Sequence, residues 1–280
     1  MAQGRGFRGQ RAWARVGRSM GRRAGQAPQK TGQGMESTAS PRTRLVALDL
    51  ARSIALVAMA VFHFSFDLML FGHLPAGTVF QGGWPLFARA IASSFLLLAG
   101  VSLWLAHGQG IRWRAFGRRF AMVAGAAALV TFATYHAMGA QFIRWGILHM
   151  IAAGSLISLL FLRAPVVLTL AVAAAAFAAP HFLRAEVFDH PALIWVGLST
   201  TIPPMMDYEP VLPWLCPVLI GIAAARLMAR AGVWGVLAHW QPGPLMRALA
   251  WPGRHSLAIY LIHQPVLFGA VWAYTKWMLS

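Results

Sequence analysis

LDLARSIALVAMAVFHFSFDLML, residues 48–70, is an apolar run long enough to cross a hydrocarbon core, yet it carries Asp49, Arg52, His63 and Asp67. At about 100° per residue, Asp49 and Asp67 project in the same direction, with Arg52 about 60° and His63 about 40° behind them. All four polar groups therefore share one arc about 60° wide, and the other faces are aliphatic or aromatic. The run reads as a membrane helix with lipid on most sides and one polar stripe.

The rest of the chain fits that reading. Of its 280 residues 58% are hydrophobic and only 11% charged, and its mean hydropathy of +0.59 lies outside the range of ordinary soluble domains. The expected fold is all-α, a polytopic membrane helix bundle of about seven spans: 48–70, 85–106, 118–138, 145–162, 165–180, 212–229 and 256–278. Residues 192–204 are a candidate half-helix dipping in from one side. Residues 1–43 are rich in Gly, Arg, Gln and Ser and read as a disordered basic arm, with no apolar h-region of the kind a secretory signal needs. Residues 44–280 form the membrane domain.

A net charge of +17 first suggests nucleic acid, but its distribution argues for topology instead. With seven spans and the N-terminus in the cytoplasm, 20 Lys and Arg fall on the cytoplasmic side and four on the other, while Glu186, Asp189, Asp207 and Glu209 all fall outside. No nucleic-acid partner is needed; the partner is the lipid bilayer. Cys216 is the single cysteine, so an intramolecular disulfide and a cysteine-rich metal site are excluded, and it reads as a packing residue. No metal-binding or soluble-type cofactor motif is present.

Ionisable groups within spans are costly and mark function by default. His63 lies in the outer half of the first span, and Asp67 stands at i+4, where a carboxylate can hold one ring nitrogen and leave the other as a general base. The bland alternative is a His–Asp pair that only locks the bundle. Asp49 and Arg52 read either as part of the same functional stripe or as an ion pair where the helix starts. Arg112, Arg114, Arg118 and Arg119 mark topology or clamp a phosphate-bearing cofactor, a task for which guanidinium forks are suited. Ser256, Tyr260, His263 and Gln264 share a face of the last span, with Pro265 expected to kink it; cavity wall and interhelical hydrogen bonding are both open. His149 near the outer surface, Asp207 and Trp214 in the outer DYEPVLPWL segment (207–215), and His73 after the first span complete the candidates.

Taken in order, RLVALDLARSIA (44–55), FHFSFDL (62–68), ASSFLLLAGVSL (92–103), GILHMI (146–151), DYEPVLPWL (207–215) and GRHSLAIYLIHQP (253–265) resemble the heparan-alpha-glucosaminide N-acetyltransferase-like family of bacterial membrane proteins. The resemblance implies a membrane acyltransferase that takes acetyl from cytoplasmic acetyl-CoA and passes it to a glycan or amino-sugar acceptor on the outer side, in a bacterial cytoplasmic (inner) membrane. It implies catalytic roles for His63, Asp67 and, in the position of the eukaryotic relatives' loop histidine, His73. In that frame Arg52, Arg112, Arg114, Arg118 and Arg119 hold acetyl-CoA, and His149, Asp207, Trp214, Tyr260, His263 and Gln264 contact the acceptor. Ser53 departs from the family pattern, which commonly has glycine there. The rival reading is a proton-coupled transporter using His63 and Asp67 as its relay; a third is a scaffold whose polar groups only join helices.

Overall fold

The computed structural model describes residues 45–202 and 204–279, so the basic arm expected over residues 1–43 lies outside the described residues. Seven apolar helices follow one another: α1 (Val46–Leu70), α2 (Trp84–His107), α3 (Trp113–Met138), α4 (Ile147–Ser158), α5 (Val166–Phe182), α6 (Val211–Arg230) and, after three short helices α7 (Val233–His239), α8 (Pro244–Leu249) and α9 (Trp251–Arg254), the last span α10 (Ser256–Met278). Five of them, α1, α2, α3, α6 and α10, are long and apolar enough to cross a membrane; α4, even when extended by a 3-10 turn to Phe161, and α5 are shorter. The protein is a polytopic membrane helix bundle.

Boundaries moved where sequence periodicity could not see them. α3 starts at Trp113, five residues before its expected start, which moves Arg114 from the loop into its first turn and places Arg118 and Arg119 in the second. Residues 192–202 contain only a 3-10 turn, Ile194–Val196, rather than the expected half-helix. α10 runs through Pro265 without a break, although proline removes one backbone donor there.

Packing explains the small residues. A Cβ on Gly100 of α2 would sit 2.1 Å from the Val218 carbonyl oxygen, and one on Gly221 of α6 would sit 2.2 Å from the Leu97 carbonyl oxygen. Reciprocal glycines thus bring the α2 and α6 backbones into contact, the device membrane helices use when lipid offers no hydrophobic drive for association. Around that pair, Leu96, Met150, Leu219 and Ile222 are fully buried. α5 packs on α6, and α1, α2, α4, α3 and α10 each pack on the next, closing a ring. Tyr260 of α10 reaches all three apolar clusters, from α1–α2, α3–α4 and α2–α4–α6, so its ring fills the middle of that arrangement. Outward faces stay apolar and uncovered, for example Ile54, Val57, Leu129, Phe132 and Trp272, as lipid-facing residues should.

Candidate functional site

α1 and α10 run side by side in the same direction, and one register describes their contacts. The Gly253 amide, in α9 just ahead of α10, donates to Ser53 Oγ at 2.8 Å. One decade of residues further along, His263 Nε2 lies 3.4 Å from His63 Nδ1, with ring centroids 4.9 Å apart. Next, Gln264 Nε2 donates to Asp67 Oδ1 at 2.9 Å. At the far end, His73 Nε2 meets Thr275 Oγ1 at 2.7 Å. His63 and Asp67 of the α1 stripe are therefore answered by His263 and Gln264 on the polar face of α10.

This register corrects one expectation: Asp67 does not hold His63. In an α-helix side chains lean toward the N-terminus, so the His63 ring drops back over the preceding turn, where its Nδ1 lies 3.0 Å from the Met59 carbonyl oxygen. The Asp67 carboxylate, fully buried, is taken by Gln264 instead. A carbonyl oxygen can only accept, so His63 Nδ1 carries the hydrogen and Nε2 keeps its lone pair. Among the described residues His63 Nε2 has no partner, and the ring is only partly buried. His73 is exposed and tied to the end of α10 rather than to His63.

At the end of the bundle where α1 begins, Asp49 is buried and receives Arg52 Nη1 at 2.8 Å, while Arg52 Nη2 donates to Ser102 Oγ at 2.6 Å. Arg254 Nε of α9 lies 3.7 Å from the other Asp49 oxygen. Arg52 is thereby spent on a helix-joining network, the structural alternative for this pair. Arg119 lies within charge–charge range of Arg52, so the α3 basic cluster faces the same end. Arg114, Arg118 and Arg119 are exposed beside Trp113, whereas Arg112 turns its Nε back to the Ala106 carbonyl at 3.2 Å. Three exposed guanidinium groups within the first two turns of α3 fit a phosphate-rich ligand; Arg112 and Arg52 are engaged elsewhere.

The opposite, acidic end is organised by residues 207–210. Asp207 Oδ2 accepts from the Ile147 amide at 3.0 Å and caps α4 from another part of the chain, where the N-cap Gly146 has no side chain to do so. The Glu209 amide donates to the Trp145 carbonyl at 3.2 Å, and Tyr208 Oη donates to the Ile194 carbonyl at 2.7 Å. Burial, together with the neighbouring Asp207 charge and a hydrogen bond to it, pushes the Glu209 carboxyl well above its ordinary range. Burial also raises the Tyr208 phenol. Asp189, on the same side, is lowered by hydrogen bonds from Ser199 and Thr200 that close its loop.

His63, His149 and Tyr260 all lie within charge–charge range of Asp207. His149 itself is committed: Nδ1 accepts from the Gly146 amide at 3.3 Å and Nε2 faces Thr131 Oγ1 at 3.2 Å. It lines a groove of about 430 Å³ with Thr131, Tyr135, Phe142 and Arg144. A second groove, of about 350 Å³, opens at the basic end beside His107, Trp113 and Arg163; neither groove is lined by His63. Trp214 packs on the central apolar cluster and Cys216 beside it, the latter as expected of a packing residue.

Sequence reading passed over Glu209, Ser102, Ser53 and Thr131 as site residues. Glu209 was discoverable, because carboxyls two apart in an extended segment point to the same side. Ser102 and Ser53 carried no such signal; only the fold brings them to Arg52 and Gly253.

The profile of the family described as heparan-alpha-glucosaminide N-acetyltransferase, catalytic, matches residues 44–265. The chain belongs to this family. The heparan-alpha-glucosaminide N-acetyltransferase match takes in every candidate residue above, from Arg52 to Gln264, and ends inside α10. Membership in that family points to a membrane acetyltransferase. Comparison with curated proteins and with solved structures gives no match.

Proposed function

We propose that this protein transfers acetyl from cytoplasmic acetyl-CoA to an amine or hydroxyl of a glycan or amino sugar on the outer side of a bacterial cytoplasmic membrane. The observation that carries the reading is His63 Nε2: a ring nitrogen with its lone pair free, on a ring whose other nitrogen is fixed, inside the family's matched segment. That is the state a general base requires. Acetyl-CoA is a substrate here, and it supplies the activated thioester. Its phosphates suit Arg114, Arg118 and Arg119, which stand exposed at the basic end.

His63 Nε2 takes the proton of the acceptor's N–H or O–H as the acceptor forms a bond to the thioester carbonyl carbon. The carbon–sulfur bond breaks, and the imidazolium returns the proton to the departing thiolate. Attack by His63 Nε2 itself, giving an acetyl-histidine, is a second route to the same product. Asp207 and Glu209 stand at the acidic end, within charge–charge range of Tyr260. The transporter reading draws less support, since its relay needs Asp67 on His63 and Asp67 pairs with Gln264.

The test is label transfer in proteoliposomes loaded with radiolabelled acetyl-CoA on one face and glucosamine on the other. His63→Ala is expected to lower transfer by roughly 10²–10⁴-fold. Transfer by His63→Ala at the wild-type rate would remove the base, and proton-dependent uptake without CoA release would favour the transporter. Arg118→Ala with Arg119→Ala is expected to raise the KM for acetyl-CoA and leave kcat near its starting value.

A further inference from the structure

Two histidines level with each other on parallel helices need an explanation that family membership does not supply. Each has its Nδ1 committed to a backbone carbonyl: His63 to Met59 at 3.0 Å and His263 to Tyr260 at 2.5 Å. Both rings therefore carry their hydrogen on Nδ1, and neutral His263 presents a lone pair at Nε2. The donor in front of that lone pair, 3.4 Å away, is His63 Nδ1–H. The rings meet edge-on at an interplanar angle of 73°, which lets the N–H of one aim at the nitrogen of the other.

We propose that His263 is the positioning residue of His63, in the place a carboxylate takes beside the histidine of a Ser–His–Asp site. This rests on the reading of His63 as the base. As the acceptor's proton arrives at His63 Nε2, the ring becomes an imidazolium, and its Nδ1–H, shared between the Met59 carbonyl and His263 Nε2, strengthens its hydrogen bond to each. His263 gains no proton. When Nε2 gives its proton to the leaving thiolate, the pair returns to its starting state. The neighbouring Gln264–Asp67 hydrogen bond holds this part of α10 against α1 and so keeps His263 at its station. A neutral acceptor also suits the surroundings, since a second carboxylate beside Asp67 inside the membrane would carry a heavy desolvation cost.

The test compares His263→Phe, which keeps a ring and loses the acceptor, with His263→Gln, whose Oε1 can accept from His63 Nδ1–H. His263→Phe is expected to lower kcat roughly 10²-fold with acceptor KM within about threefold, and His263→Gln to recover at least about tenfold of that loss. Equal losses in the two variants, or an unchanged kcat in His263→Phe, would overturn the proposal. Nitrogen-15 spectra of histidine-labelled wild-type protein in bilayers supply a reading that needs no variant. Both rings should show the Nδ1–H tautomer; a hydrogen on His263 Nε2 would rule it out as an acceptor. Normal transfer by His63→Ala would instead sink the proposed base, while the spectra would still decide the tautomer of His263.

Discussion

Gly253→Ala brings an added methyl closer to another atom than any other glycine-to-alanine change among the described residues. A Cβ at this position would lie 1.8 Å from the Asp49 carbonyl oxygen, 2.7 Å from its carbon and 3.0 Å from Ser53 Oγ. The first two are backbone atoms of α1, so no side chain can swing away to make room. Reaching the 3.4 Å of ordinary contact from 1.8 Å means a retreat of about 1.6 Å, enough to break the 2.8 Å hydrogen bond from the Gly253 amide to Ser53. Overpacking of this kind costs about 1–3 kcal/mol and a buried orphaned N–H about the same, offset by about 0.5–1 kcal/mol for replacing glycine in a helix. The net is about 3 kcal/mol. For a domain of this size that is a fall of roughly 6–12 °C in melting temperature, read by size-exclusion fluorescence after heating in detergent. Transfer activity should fall with it, because α9 leads into the α10 segment that carries His263. Gly269→Ala, on α10 where a Cβ meets nothing within 4 Å, is the control and should melt at or slightly above the wild-type temperature. Should Gly253→Ala melt within about 2 °C of wild type, the tight α9–α1 contact and the reasoning from it are wrong.

Glu209 gives a pH prediction with a definite sign. Its carboxyl is raised in the fold, so its stabilising share is present below the ordinary glutamate range and is lost as pH rises through the raised value. Melting temperature should fall across that window in wild type and flatten in Glu209→Gln; parallel profiles would show that the Glu209 carboxyl is not raised in the fold. Asp207→Ala removes the cap on α4 and should cost about 1–2 kcal/mol, measured as a lowered melting temperature, with Asp207→Asn in between because its amide oxygen still accepts from Ile147.

The helices were legible because apolar runs longer than a bilayer is thick have no other stable arrangement, and the polar stripe of α1 was legible from its angular spacing alone. Partnerships were another matter. Spacing within α1 suggested Asp67 for His63, since i and i+4 are neighbours on a helix surface. It could not weigh the backward lean of the ring or the arrival of Gln264 from a helix some 200 residues on. The α3 arginines were seen as a cluster, yet their division into exposed Arg114, Arg118 and Arg119 and engaged Arg112 depends on where the helix starts. Asp207, expected to contact the acceptor, caps α4, a role that only the crossing of 207–210 over Trp145 creates.

The 200-residue offset between His63 and His263 has a consequence for how the protein is made. Ribosomes deliver α1 first and α10 last, so α1 enters the bilayer with Asp67 lacking Gln264 and His63 lacking His263. During that interval the Asp67 carboxyl must be met by water, lipid headgroups or the insertion machinery. Contacts this distant along the chain close slowly, and the assembled His63–His263 pair exists only once the final span has docked. Biogenesis itself therefore acts as the safeguard: an unfinished chain has the helix that carries the proposed base but not the helix proposed to aim it.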